Sequence, residues 1–118
     1  MGIAIVEAPE QSSGVCVAGN LDEGMECARR ECAEGADGVL PGDCLRVRWC
    51  YPAGWSADIF VQNRDGFHGH DYLCGWPSQA LLMEAVALRC DKDQRDYLLE
   101  CQAVRIWNNE GKPVPLDP

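Results

Sequence analysis

The chain is short of positive charge. Lysine appears twice and arginine eight times against 19 acidic residues, which leaves a formal net charge of -9 over 118 residues. A mean field of that sign repels phosphate backbones and anionic lipid headgroups, and Arg46 and Arg48 are the nearest approach to a basic cluster. Nucleic acid is therefore excluded as an expected partner. The sequence also lacks any apolar run long enough to cross a bilayer as a helix, so no membrane insertion is expected. The opening Met1-Gly2 runs directly into Ile3-Ala4-Ile5-Val6 without the basic flank and long apolar core of an export signal. The expectation is that such a signal has been removed and that Met1 is an added start.

Catalytic signatures are missing as well. No Gly-x-Ser-x-Gly elbow, no His-Glu-x-x-His pair and no phosphate-cradling glycine loop with its lysine occurs. Histidine is present only at positions 68 and 70, and no Cys-x2-Cys knuckle exists, so neither a metal nor another cofactor is expected.

What the chain has is cysteine. Eight of them, an even number, in a chain this short point to a disulfide scaffold, and 47% apolar residues suffice for a core. Both properties fit a periplasmic or secreted domain. The cysteines also recur. Cys16 to Cys32 and Cys74 to Cys90 are each 16 residues, after which Cys32 to Cys44 is 12 and Cys90 to Cys101 is 11. Beyond them Cys44-Leu45-Arg46-Val47-Arg48-Trp49 matches Cys101-Gln102-Ala103-Val104-Arg105-Ile106.

Each half reads as strand, strand, helix, strand. In the first, Ile3 to Glu7 and Val15 to Val17 are short β-rich runs around turn residues. Asn20 is a helix cap with Glu23 three residues on, and Leu21, Met25, Ala28 and Cys32 form one helical stripe ending near Glu34-Gly35. A strand from Cys44 to Trp49 closes the unit. In the second, Ala57 to Gln62 and a strand ending near Cys74 precede a helix capped by Ser78, with Leu81, Ala85 and Leu88 as its apolar face, and a strand from Cys101 to about Trp107. The turn Tyr51-Pro52-Ala53-Gly54 is expected to join the halves as a hairpin. The expected fold is α+β: a duplicated unit, residues 1–52 and 53–112, in one domain of 1–112. About six antiparallel strands would form a continuous sheet with two helices on one face. Residues 113–118, with prolines at 113, 115 and 118, are expected to be an extended tail.

The stretch from Ser78 through Ala85 and Cys90 to Cys101, Val104 and Trp107-Asn108 resembles a family of small exported bacterial domains of unknown function. Their repeat runs from a helix-capping Ser, through spaced Ala residues, to a helix-end Cys and a second Cys that opens a strand. The likeness is closer in the second half, since the first has Asn20, Gly24 and Cys27 in place of Ser, Leu and Ala. The resemblance implies a compartment, not an activity.

A helix-end cysteine followed by a strand-opening cysteine is a natural staple, because the strand must lie beneath the helix. This predicts Cys32 with Cys44 and Cys90 with Cys101. Strand parity turns Cys50 and Cys16 away from the helices, and Cys27 lies about 140° around the helix from Cys32. The partners of Cys16, Cys27, Cys50 and Cys74 stay open.

Two groups of residues are candidates for a site. The segment Phe67-His68-Gly69-His70-Asp71-Tyr72 places two imidazoles on one side of a strand, with Asp71 able to orient one. It reads first as the solvent side of a hairpin, and otherwise as the site of a disulfide-dependent hydrolase. Tyr51, Trp55 and Trp76 flank Pro-containing turns, where exposed aromatic rings favour protein or glycan contact. The leading expectation is a non-catalytic module that binds a protein partner, an inhibitor being one such module. A structural envelope domain is the third reading.

Overall fold

A computed structural model of the chain describes residues 1–116. It is an α+β fold of seven strands, two α-helices and four disulfides. The first half consists of β1 (Gly2–Ala8), β2 (Ser12–Ala18), α1 (Leu21–Glu34), a 3-10 turn (Pro41–Asp43) and β3 (Leu45–Cys50). The second consists of β4 (Trp55–Asn63), β5 (His68–Trp76), α2 (Gln79–Arg89), β6 (Leu98–Trp107) and β7 (Pro113–Val114). Both helices start where side-chain oxygen satisfies a free backbone donor. Asn20 Oδ1 accepts from the Glu23 N–H at 2.9 Å and Ser78 Oγ from the Leu81 N–H at 3.2 Å.

The strands form two antiparallel sheets, not one continuous sheet. Their orders are β2-β1-β3 and β5-β4-β6-β7. The turn at Tyr51–Gly54 does not pair β3 with β4, and the reason is saturation. β4 is already hydrogen-bonded to β5 along one edge and to β6 along the other, as β1 is to β2 and β3. Each half thus sets its first strand between its second on one side and, after the helix, its third on the other, with β7 added beyond β6 in the second sheet.

Nor do the helices share a face. Ala4, Val6 and Ala8 of β1 pack with Met25, Ala28 and Cys32 of α1, while Ala57, Ile59 and Val61 of β4 pack with Leu82 and Val86 of α2. The alternate residues Ile3, Ile5 and Val15 of the first sheet meet Tyr72 and Trp107 of the second. The layers are therefore helix, sheet, sheet, helix. Ile3 and Ile5 are fully buried, each worth roughly 2–3 kcal/mol of apolar transfer. A strand covered on both faces reads as an unbroken apolar run, which is the pattern of Ile3 to Val6.

This layering corrects two parities. Cys16 points toward α1, not away from it, because Val15 and Val17 occupy the face between the sheets. In α2 the buried residues are Leu82 and Val86, whereas Leu81 and Leu88 are 42% and 71% exposed. The helix is apolar around much of its circumference, so periodicity does not select the inward face. β2 lies so close beneath α1 that a Cβ at Gly14 would run into the Ala28 carbonyl.

The disulfides join Cys16 to Cys27, Cys32 to Cys44, Cys50 to Cys74 and Cys90 to Cys101. The second and fourth are the staples named above, tying a helix end to the chain entering the next strand. The first ties β2 to the middle of α1. In the second half Ala85 stands where α1 has Cys27, so Cys74 bonds instead to Cys50 and links the two halves. Of the expected tail, Pro113–Val114 adds a short strand to the edge of β6, after a turn in which Asn108 Oδ1 accepts from the Glu110 and Lys112 N–H groups. Proline is tolerated there because an edge strand leaves one side unpaired. Residues 117–118 of that tail lie outside the described residues.

Closing the loop between Cys50 and Cys74 stabilises by about 3 kcal/mol in the chain-entropy model. The double variant Cys50→Ala/Cys74→Ala is therefore expected to lose about 3 kcal/mol in urea unfolding, with the other three bonds intact on a non-reducing peptide map.

Candidate functional site

The two sheets are held together by apolar side chains at one end and part around a polar cluster at the other. At its centre is Asp58, the one acidic residue of the run Ala57-Asp58-Ile59-Phe60-Val61, whose side chain is only 1% exposed. β-Sheet parity turns it away from α2 into the space between the sheets. There Asp58 Oδ1 lies 2.6 Å from His70 Nδ1, and Oδ2 accepts from Arg105 Nε at 2.9 Å and Nη2 at 2.7 Å. A carboxylate taken out of water needs such compensation, and the three residues meet because Phe60 and Asp58 of β4 are registered on His70, Tyr72 and Arg105 of the flanking strands.

Arg105 carries the cluster across to the other sheet, where its Nη2 donates to Ser13 Oγ at 2.5 Å, while its guanidinium stacks 4.9 Å over the Trp107 ring. His70 lies between Phe60, edge-on at 5.7 Å, and Tyr72, stacked at 6.5 Å. The Tyr72 hydroxyl donates to Glu7 Oε1 at 3.3 Å, a second polar link between the sheets. Burial pushes the Tyr72 hydroxyl well above its ordinary range, helped by the charges of Asp58 and Glu7. Glu7 is also pushed up from the usual 4.5, chiefly by burial and further by Asp58, against the opposing pull of His70, Tyr72 and Arg105.

Beside this cluster the sheets leave an open cleft of about 500 Å³. Its walls are Glu7, Ser12 and Ser13 of the first sheet and His70, Tyr72 and Arg105 of the second, with Glu10 and Glu31 also lining it. Glu31 reaches from α1 to the edge of β2, where Oε1 accepts from the Val15 N–H at 3.2 Å and blocks that edge from further pairing. Asp58 cancels the charge of Arg105, so Glu7, Glu10 and Glu31 set the sign of the cleft.

The residues expected from sequence divide over the molecule. His70 belongs to the cleft, and His68 lies beside it, exposed, with Nδ1 at 3.4 Å from Glu10 Oε1. Asp71 does not orient either imidazole. It occupies the opposite face of β5, where Oδ2 accepts from Arg89 Nε at 2.8 Å and Oδ1 from the Tyr72 N–H at 2.9 Å. Trp55 and Trp76 form a half-buried cross-strand pair beside the α2 core, and Tyr51, 67% exposed, stacks on Trp49. His70 and Trp76 are six residues apart along β5, about 20 Å, so the imidazoles and these aromatic rings make two separate surfaces. Glu7, Ser13, Asp58 and Arg105 line or build the cleft without standing out in the sequence, and Tyr72 joins them from the end of the candidate segment. The signal for one was present: a lone carboxylate inside an apolar strand needs a cation or hydrogen-bond donors within reach.

Chemically the cluster fixes one imidazole and one guanidinium around a buried carboxylate. It offers no activated nucleophile, since the Ser13 hydroxyl is engaged by Arg105 and the Tyr72 hydroxyl is driven toward its neutral form. Among the described residues no group of three His, Cys, Asp or Glu side chains is placed to hold a metal ion. No family model, no curated protein and no solved structure matches the chain.

Asp58→Ala removes the acceptor that His70 and Arg105 share, and since both partners keep contact with water it is expected to cost about 2 kcal/mol in urea unfolding. For Glu7, the folded chain binds the proton more tightly than the unfolded one. Its contribution is therefore complete below pH 4.5 and lost as the pH rises through the higher folded value. Glu7→Gln keeps the acceptor for Tyr72, so unfolding curves should coincide with the parent at pH 4 and show a more stable variant at pH 7.

Proposed function

We propose that the chain is a non-catalytic, exported protein-binding module that receives a basic side chain of its partner in the cleft between the sheets. The observation that carries this reading is the charge of the cleft: Glu7, Glu10 and Glu31 face an open volume of about 500 Å³ in which the one guanidinium is already neutralised by Asp58. Glu7 adds a reason for affinity. A carboxylate kept partly out of water gains more from a lysine or arginine head than a solvated one does, since the desolvation cost has been met in folding. The net charge of -9 draws a basic partner from a distance. Four disulfides and no free cysteine support a periplasmic or secreted location, because thiols are kept reduced in the cytosol. The resemblance noted in the Ser78 to Asn108 stretch points to the same compartment. Inhibition of a basic enzyme is one use of such a module.

Hydrolysis at the His68 to Asp71 segment has less support, since Asp71 is bound to Arg89 on the other face of the strand. A purely structural role leaves the open acidic cleft without a purpose.

The reading is tested by nuclear magnetic resonance titration of the oxidised chain with Nα-acetyl-lysine methylamide, its arginine counterpart and the glutamate analogue. The basic probes should shift the amides of Glu7, Ser12, Ser13 and Arg105, and the response should weaken with salt and fade in Glu7→Gln/Glu10→Gln. A cleft that responds equally to the glutamate analogue would refute it.

A further inference from the structure

A second cavity, of about 400 Å³, adjoins the acidic cleft. Ser13, Glu31 and Arg105 line both, so the two spaces meet at these side chains. Beyond them the wall changes character. Val15 and Trp107, on the inner faces of the two sheets, are joined by Val104 and Ile106 of β6 and by Pro115 and Leu116 after β7. Leu116 is 41% exposed and Val104 half-buried, so the wall leaves aliphatic surface in contact with water.

The polar atoms at the junction already have partners. Arg105 donates through Nη2 to Ser13 Oγ and through Nε and Nη2 to Asp58, and Glu31 Oε1 accepts from the Val15 N–H. A polar group entering the second cavity would give up water for little in return, whereas an apolar one gains by leaving it. Strand addition is also closed off here. Glu31 occupies the Val15 donor on the edge of β2, β7 is paired with Ile106 and Trp107 on the edge of β6, and Pro113 and Pro115 carry no N–H. An occupant is therefore held by its side chains.

On the reading of the acidic cleft as a site for a basic side chain, we infer that the two cavities form one groove for an extended segment of the partner. A lysine or arginine enters the acidic cleft, and an aliphatic side chain two positions away in the same segment enters the second cavity. Charge decides which goes where: Glu7 and Glu10 line only the first cavity, and among the described residues no carboxylate but the shared Glu31 lines the second. The spacing follows from strand geometry. Alternate side chains of an extended chain share one side about 7 Å apart, which is also the step along β2 from Ser13, common to both cavities, to Val15 in the second.

The oxidised full chain is titrated with acetylated, amidated tripeptides and followed at its backbone amides. Lys-Ala-Ala should shift Glu7 and Ser12. Either Lys-Ala-Leu or Leu-Ala-Lys, according to chain direction, should also shift Val104, Ile106 and Leu116. That peptide is expected to bind about tenfold more tightly than Lys-Ala-Ala, the factor for burying roughly two methylene groups. Lys-Leu-Ala and Leu-Lys-Ala, with the two side chains adjacent, should show no such gain. The groove is overturned, with the acidic cleft left standing, if Lys-Ala-Ala binds and leucine adds nothing in any order, or adds as much when adjacent. It falls together with the reading of the cleft if no lysine peptide moves Glu7 and Ser12. Val104→Ser/Leu116→Ser should cancel the leucine gain, and a gain that persists in it also overturns the groove. The comparison of peptides on the parent chain decides the matter even where that variant does not fold.

Discussion

The packing of Ile3, Ile5 and Val15 against Tyr72 and Trp107 makes one domain out of two small sheets. Three or four strands with a single covering helix bury little apolar surface, and below about 40–60 residues a lone unit of that kind is marginal. Stacking the two units face to face gives each sheet a second covered side. The outer helices, the staples that hold them and the Cys50–Cys74 link all refine an arrangement that these five side chains establish.

The same layering produces the polar cleft. Sheets with apolar inner faces along their whole length would close on each other everywhere. Here Glu7 and Ser13 on one sheet face Asp58, His70 and Arg105 on the other, and the inner space becomes hydrophilic at that end. Arg105 joins the two regimes, with its guanidinium on the Trp107 ring and its nitrogens on Asp58 and Ser13. The acidic surplus of the cleft then follows from stoichiometry. Arg105 is matched by Asp58, and Glu7, Glu10 and Glu31 are left facing the open volume.

Much of the local structure was legible in the sequence. Asn20 and Ser78 mark helix starts because their side chains replace a missing backbone acceptor, and the spacing from Cys32 to Cys44 and from Cys90 to Cys101 describes a helix end over a strand. The division into two sheets was not legible. It depends on which edges of β1 and β4 are filled, a non-local matter that no turn sequence encodes. Burial on both faces also erases the alternation from which the parity of Cys16 would have been read. His70 was found, but its partner was not. Asp71 is its neighbour in sequence and lies on the opposite face, while Asp58 is twelve residues away and directly within reach. Proximity along a strand misleads wherever side chains alternate.

The four disulfides have an order along the chain. The cysteines are bonded in consecutive pairs, first to second, third to fourth, fifth to sixth and seventh to eighth, so no bridge encloses or interleaves with another. Eight cysteines allow 105 complete pairings, and this is the one obtained by closing every loop as soon as its second sulfur appears. Because no loop encloses another, opening any one bridge releases only its own loop and leaves the other three closed.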